Sequence, residues 1–363
     1  MKQNTSRKVI TAYDPEEDHL SVWKDRFLES EIRGDRSPDT EKKIELQLQR
    51  FIDFFQERYG HDRVSAVVKR DVKAWMDFLY DEENGLGLAA ATVNNHKAHL
   101  SLFMGWLHQQ VPHLLPEDPT KGKGLKDILL PAPEPRALTE EQVRSLKNIC
   151  DRLERFHQLK GRRWKGQIPP LKKQARPKRD RAIVFLLLST GIRREMLVNL
   201  NVDQLQPNDP EKLRVARRAR LVRVRGKGRT EAVKYLNEDA RLALADYLEF
   251  ERPQDVDPDS QALFLTALGV PDRKTGGRLH VRSINRILEQ IGEWHDAEQL
   301  QPDRQISPLR PHDLRHTYAF LLSQATQGDR TILQRELIHR NERYLETYTN
   351  PPSEVAAKIV EEL

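Results

Sequence analysis

The segment from Pro311 to Thr317, PHDLRHT, carries a histidine and an arginine three positions apart. On an α-helix, His312 and Arg315 would project from one face, because side chains at positions i and i+3 are neighbours. Imidazole transfers protons near neutral pH, and guanidinium binds phosphate oxygens through two parallel hydrogen bonds. The segment therefore predicts a proton-transfer group beside an anion-binding group.

A metal site is the alternative interpretation of the same segment. His312 and His316 are i and i+4, and Asp313 stands where the zinc-protease helix HExxH carries its glutamate. Aspartate is one methylene shorter than glutamate, and Arg315 would place a positive charge beside the metal. We therefore expect no metal ion and no cofactor at this site.

A second arginine follows a long apolar run. Arg193 ends the sequence STGIR, and the preceding AIVFLLL predicts a buried helix that stops at Thr190 and Gly191. Rigid structure on both sides of such a break would hold the guanidinium in place, as a phosphate clamp requires. The alternative is a surface arginine paired with a nearby acid, and this residue alone does not decide between them.

One segment has a clear β pattern. Leu221 to Leu236, LVRVRGKGRTEAVKYL, contains two alternating runs on either side of Gly226 and Gly228. This arrangement predicts a β-hairpin with Lys227 at its tip.

Two tyrosines follow the last candidate histidine. His339 ends the sequence LIH, and Tyr344 and Tyr348 come after it. Taken singly, a histidine is more often structural and a tyrosine near a helix end is more often half-buried packing. Their significance lies in the order of residue types along the chain: arginine, hairpin lysine, His-x-x-Arg, histidine and tyrosine.

The elements that would position these residues are mostly helical. Apolar residues spaced three and four apart predict helices before residue 115, and the dense Pro and Gly that follow predict a linker. A capping box, with Thr139 as N-cap and Gln142 three positions later, predicts the start of a second domain. We expect a mainly α fold with a small β-hairpin or sheet. The predicted parts are an N-terminal extension at 1–38, a helical domain at 39–115, a linker at 116–135, and a mixed, mostly helical domain with a C-terminal tail helix at 136–363.

Composition limits the class of protein. The chain has 363 residues, 61 Lys+Arg against 55 Asp+Glu, a formal net charge of +6 and 37% hydrophobic residues. At about 150 residues per domain this length predicts two domains, and the composition suits a helix-rich globular protein rather than a disordered one. The single cysteine, Cys150, excludes an intrachain disulfide. With no apolar leader and no membrane-length run, we expect a cytoplasmic protein without membrane contact.

Basic residues are concentrated between Lys160 and Arg181, with Trp164 among them and Asp180 as the acid in their midst. A solvated loop and a phosphate-contacting arm both fit this segment. The second interpretation gives five candidate DNA-binding residues, which are Lys172, Lys173, Arg176, Lys178 and Arg179.

The chain resembles the tyrosine recombinase, or phage integrase, family. The resemblance rests on TGIR at 190–193, RGKGR at 225–229, PHDLRHTYA at 311–319, and LIH at 337–339 with Tyr348 beyond it. These motifs come in the family's order and spacing, and the helical N-terminal region resembles the family's core-binding domain. Two positions depart from the family pattern: Met196 stands where an acidic residue is common, and Ile338 stands where glycine is usual.

The resemblance implies cutting and rejoining of DNA strands through a covalent 3'-phosphotyrosine intermediate, without a metal or cofactor. It favours Tyr348 as the nucleophile over Tyr344, which lies one helical turn earlier. It implies double-stranded DNA as the substrate and a homo-tetramer on two DNA sites, with the tail helix at 354–363 exchanged between protomers or else folded on its own domain. The implied catalytic residues are Arg193, Lys227, His312, Arg315, His339 and Tyr348.

Two other functions share parts of this pattern. A type IB topoisomerase-like enzyme uses the same residue types without pairing two DNA sites. A catalytically silent DNA-binding protein of the same fold would have lost a catalytic residue, whereas all the implied positions are filled here. The core-binding-like domain and the tail helix favour a site-specific recombinase of the integrase or transposase kind.

Overall fold

The computed structural model describes residues 17–122, 124–130, 137–159, 168–226, 231–271 and 273–338. The chain divides into two compact units, Met1–Ala132 and Pro133–Leu363. Within the described ranges, no helix combines the length and the apolar character that crossing a membrane requires.

The first unit is helical. Its elements are α1 (Leu20–Phe27), a π-helical turn (Leu28–Ile32), α2 (Pro38–Tyr59), α3 (Lys69–Tyr80) and α4 (Ala90–Gln110). The Ser37 side chain caps the start of α2, Pro38 follows at a position where its missing N–H is harmless, and Gly60 ends the helix in the left-handed conformation at φ +73°. The helices predicted before residue 115 are thus confirmed.

Aromatic side chains fill the core of the first unit. The Trp75 ring lies 6.0 Å from Phe51 and 5.1 Å from Phe54, centroid to centroid. The Phe27 ring of α1 lies 5.4 Å from that of Phe103 on α4. The first unit therefore begins before the predicted boundary at residue 39, because α1 supplies residues to the same core.

Part of the predicted linker also packs on the first unit. Asn94 on α4 donates through its side chain to the Ile128 carbonyl at 2.9 Å and accepts from the Ile128 N–H at 2.8 Å. Leu125 is buried in the same core. Residues near 125–128 therefore belong to the first unit, although their proline and glycine content suggested a linker.

The second unit is a helical assembly with one small sheet. The capping box at Thr139 and Gln142 begins the first of its helices, as predicted. Its helices are α5 (Glu140–Asp151), α6 (Leu153–His157), α7 (Pro177–Thr190), α8 (Arg194–Val198), α9 (Pro210–Val215), α10 (Glu238–Phe250), α11 (Val281–Asp296), α12 (Pro311–Ala325) and α13 (Arg330–Leu337).

Helix α7 lies at the centre of the second unit. Every residue from Ala182 to Leu188 is buried, as expected for a helix that is apolar on all sides. Helices α10 and α12 pack against it. The two ends of α7 are therefore fixed by the core, and both ends carry arginines of interest.

The sheet contains the predicted hairpin. Strands β1 (Leu205–Gln206), β2 (Ala219–Arg225) and β3 (Glu231–Leu236) are antiparallel in the order β1-β2-β3. The ladder of β2 and β3 runs from Ala219 opposite Leu236 to Arg225 opposite Glu231, with an irregularity between Leu221 and Val224. The mainly helical fold with a small sheet is thus confirmed.

Candidate active site

Arg193 lies directly after the end of α7. Gly191 ends that helix at φ +57°, and a Cβ at this position would lie 2.2 Å from Cδ1 of Tyr318. Both the left-handed conformation and the close ring therefore require glycine. Ile192 is buried, and Arg193 is the half-buried N-cap residue of α8. The predicted break between two helices is confirmed.

Helix α12 carries the second motif. The Asp313 carboxylate accepts from the Arg310 N–H at 2.8 Å and caps the helix. Thr317 anchors α12 to the chain before α5, because its hydroxyl oxygen accepts from the Leu138 N–H at 2.8 Å. Asp313 therefore has a structural role, and no cluster of three or more potential metal ligands occurs among the residues with described positions.

Arg315 is 1% exposed and joins two turns of the second unit. One guanidinium nitrogen, Nη1, donates to the Gly191 carbonyl at the end of α7, and Nη2 donates to the Leu337 carbonyl at 2.6 Å. The first turn leads to Arg193 and the second leads to His339. These two bonds hold the guanidinium between the two turns.

His312 lies on the exposed side of α12, one turn before Arg315. Partial removal of water lowers its pKa below the ordinary histidine value, and the nearby charges of Arg315, Arg194 and Arg193 lower it further, against the opposing effect of Glu195. The imidazole is therefore neutral at neutral pH and able to accept a proton. The structure thus brings three predicted residues, Arg193, His312 and Arg315, into one electrostatic neighbourhood.

The sequence model of the phage integrase family matches residues 136–354, which is most of the second unit. The chain belongs to the phage integrase family.

Relatives of this phage integrase family member are recombinases. The tyrosine recombinase XerC of Caldanaerobacter subterraneus subsp. tengcongensis is 27% identical over 332 residues, which cover 87% of this chain and 78% of the relative. The tyrosine recombinase XerC of Oceanobacillus iheyensis is 25% identical over 339 residues, covering 91% of this chain and 92% of the relative. This phage integrase family member is therefore a tyrosine-type site-specific recombinase.

Solved structures share the fold. The Tn1549 transposon integrase in complex with a circular intermediate DNA has a TM-score of 0.63 at 18% identity, covering 95% of this chain and 100% of that chain. The XerH site-specific recombinase bound to its difH substrate has a TM-score of 0.57 at 17% identity, covering 88% of this chain and 80% of that chain. These likenesses agree with the predicted fold class of this integrase.

Several predicted site residues of this integrase lie outside the described part of the chain. They are Lys227, His339, Tyr344 and Tyr348, together with the tail helix at 354–363. The chain on either side of the 227–230 segment is described and forms the two strands of the hairpin.

The structure corrects the predicted DNA-binding role of Arg176 and Arg179. Both are buried, at 6% and 8% exposure. Arg176 donates to both carboxylate oxygens of Asp255, at 2.6 and 2.7 Å. Arg179 donates to Asp180 at 2.9 Å and to the Leu265 carbonyl at 3.0 Å. A buried guanidinium needs such partners, so these charges hold the fold together and do not face a phosphate backbone.

The lysines of the same segment differ from these arginines. Lys172 and Lys173 are exposed and stay candidates for phosphate contact. Lys178 is half-buried, with its ammonium 2.8 Å from a carboxylate oxygen of Glu154. Of the five predicted residues, two are therefore internal and one is already paired.

Sequence reasoning missed a charged pair beside the site. Lys234 on β3 is 1% exposed, and its ammonium lies 3.0 Å from a carboxylate oxygen of Glu336 on α13. A signal was present, because Lys234 alternates in phase with Ala232 and Leu236 while Val233 and Tyr235 face outward. A lysine on the inner face of a strand requires a buried partner.

Proposed function

We propose that this recombinase cuts and rejoins DNA through a 3'-phosphotyrosyl intermediate formed by Tyr348. The proposed catalytic residues are Arg193, Lys227, His312, Arg315, His339 and Tyr348. One observation carries the proposal: buried Arg315 bonds both the turn before Arg193 and the turn before His339, with His312 on its own helix.

The proposed reaction forms one bond and breaks one. The Tyr348 oxygen attacks the scissile phosphorus, and the bond from phosphorus to the 5'-oxygen of the next nucleotide breaks. The phosphodiester energy is kept in the phosphotyrosyl bond, and attack by a 5'-hydroxyl of another strand reverses the step and completes exchange. The reaction consumes no nucleotide.

Two arginines suit the transition state of this step. Charge accumulates on the non-bridging oxygens during attack, and fixed guanidinium groups stabilise that charge without reorganising. Arg315 is held by two backbone carbonyls, and Arg193 follows a turn packed against Tyr318. The positions of both arginines are therefore set before DNA arrives.

Protons move through His312 and Lys227 in this proposal. A tyrosine hydroxyl has an ordinary pKa of ~10, so Tyr348 needs a base and nearby positive charge. The lowered pKa of His312 keeps its imidazole neutral and able to take the phenol proton. Lys227 would give a proton to the leaving 5'-oxygen, and His339 would donate a hydrogen bond to the phosphate.

The DNA substrate is supported by the structural relatives. The Tn1549 transposon integrase was solved in complex with a circular intermediate DNA, and XerH was solved bound to its difH substrate. We extend this to a homo-tetramer that joins two double-stranded DNA sites, with the tail helix at 354–363 exchanged between protomers. Nothing in the described residues favours the topoisomerase-like or the catalytically silent alternative.

The test is covalent trapping on DNA. A duplex that binds the protein would be selected from a random-sequence pool, nicked beside its cleavage position so that the cleaved end diffuses away, and incubated with the protein in EDTA. We expect an SDS-resistant adduct with wild type and with Tyr344→Phe, and none with Tyr348→Phe. An adduct that survives Tyr348→Phe and disappears in Tyr344→Phe would transfer the nucleophile role to Tyr344. The absence of any adduct on a bound duplex would contradict the proposal.

A further inference from the structure

The last turn of α13 is held by cations from two other elements. The final carbonyls of a helix have no partner within the helix and attract positive charge. In this helix, the Glu336 carbonyl accepts from the ammonium of Lys234 on β3, and the Leu337 carbonyl accepts from Arg315 on α12. The end of α13 is thus tied to the hairpin strand and to the second motif at the same time.

The residue after this turn has an unfavourable backbone conformation. Ile338 is left-handed, with φ +51° and ψ +48°. A β-branched residue is unfavourable there, because its Cβ approaches the following carbonyl oxygen. Such a conformation persists only when surrounding contacts hold it. The next residue in the chain is His339.

The contacts of Lys234 are suited to hold this turn. Its ammonium bonds the Glu336 backbone carbonyl and also lies 3.0 Å from the carboxylate of the same residue. The Tyr318 hydroxyl lies 3.4 Å from that carboxylate, and the Tyr318 ring packs against Gly191. The ion pair of Lys234 and Glu336 therefore lies where three elements meet. These are strand β3, the end of α13 before His339, and the turn before Arg193.

We propose that Lys234 is a positioning residue for strand cleavage: its two bonds to Glu336 hold the left-handed turn at Ile338 that leads to His339. This inference rests on the proposed function, because it assigns His339 to the reaction. Lys234 itself does not touch DNA in this arrangement. A displacement of about 1 Å at a reacting group can slow a reaction roughly 100-fold, so a holding contact of this kind affects the rate more than DNA binding.

The test separates positioning from simple stabilisation. Lys234→Met removes the ammonium and keeps most of the stem, and Lys234→Arg retains a donor. The matched control is Lys147→Met in the same unit, where the ammonium lies 2.6 Å from Asp239 and joins α5 to α10. We expect Lys234→Met to slow adduct formation in single turnover by about 10- to 100-fold at unchanged DNA affinity, with partial recovery in Lys234→Arg. Lys147→Met should keep the wild-type rate.

A double variant decides the case if Lys234→Met folds poorly. Replacing a buried ion pair by apolar side chains is often neutral for stability, so Lys234→Met with Glu336→Leu should restore Tm. Positioning predicts that the adduct rate stays low in this variant, because the bond to the Glu336 carbonyl is still missing. Recovery of the rate together with Tm would overturn the proposal in favour of a structural role.

Hydrogen exchange gives a readout independent of activity. We expect amides in the last turn of α13 to exchange faster in Lys234→Met than in wild type and Lys147→Met. If wild type forms no Tyr348 adduct, the proposed function fails. If amide exchange in the last turn of α13 is the same in Lys234→Met and wild type, the role of Lys234 is overturned separately. If wild type forms the adduct and Lys234→Met matches its rate, the positioning role alone is refuted.

Discussion

Buried arginines lie at both ends of α7, two at its start and Arg315 of α12 at its end, but their partners differ. At the start, Arg176 bonds the carboxylate of Asp255 and Arg179 bonds that of Asp180. At the end, Arg315 bonds the carbonyls of Gly191 and Leu337. A carboxylate carries the charge opposite to that of a guanidinium, whereas a carbonyl oxygen is a neutral acceptor that orients it. Burial alone therefore does not reveal the role of an arginine, and the groups that it bonds must be known as well.

The direction of the helix agrees with this difference. Helix N-termini favour negative charge and C-termini favour positive charge. At the start of α7, the Glu251 carboxylate accepts the backbone N–H groups of Lys178 and Arg179 at 2.9 and 2.8 Å. At the end, the cation of Arg315 bonds the carbonyl of Gly191. The printed partners thus follow the helix direction: carboxylates lie at the start of α7, and a guanidinium bonds the carbonyl at its end.

The largest expected effect is at the end of α7. Arg315→Lys should slow single-turnover adduct formation by about 10³- to 10⁵-fold, as for other arginines that stabilise a phosphoryl transition state. Lysine keeps the charge but lacks the planar fork that bonds two carbonyls at once. DNA affinity measured by gel shift should change far less. A rate within tenfold of wild type, with a normally folded variant, would contradict the assignment.

Stability should change most at the start of α7. Arg176→Met leaves the Asp255 carboxylate buried and unpaired, which lowers the free energy of unfolding by about 3–5 kcal/mol. Urea denaturation measures this change, and Arg176→Met with Asp255→Leu should recover most of it. Adduct formation per folded molecule should match wild type. A loss of DNA affinity without a loss of stability would instead restore Arg176 as a phosphate contact.

The pH dependence of cleavage tests the environment of His312. Because the pKa of His312 is lowered, its imidazole stays neutral at pH values below the ordinary histidine pKa. The rate of adduct formation should therefore fall only at a lower pH than for an ordinary histidine base. Arg194→Gln removes a charge that lowers this pKa, so the acid limb should move to higher pH. Glu195→Gln removes the charge that raises it, so the limb should move to lower pH. Limbs that do not move, or that move in one direction for both variants, would exclude His312 as the base.

Sequence reasoning succeeded where the signal is local. The helix break at Gly191, the hairpin around residue 226 and the shared helix of His312 and Arg315 each depend on neighbouring residues. It failed where the partner is distant in sequence. Arg176 and Asp255 are 79 residues apart, and Lys234 and Glu336 are 102 apart. A run of basic residues in the sequence shows where positive charge is concentrated. Only the folded structure shows which carboxylates pair with those residues.

The smallest expected effect concerns the two exposed lysines before α7. Lys172 and Lys173 are exposed, whereas Arg176 and Arg179 are buried. These two lysines are therefore the residues of the basic segment whose contact with DNA can still be tested. If both contact phosphate, Lys172→Gln with Lys173→Gln should weaken DNA binding a few-fold and reduce the slope of log K against log salt by about 2. Lys178→Gln is the matched control, because its ammonium already pairs with Glu154. An unchanged slope in the double variant would show that this whole segment serves the fold, and that DNA affinity arises elsewhere on the chain.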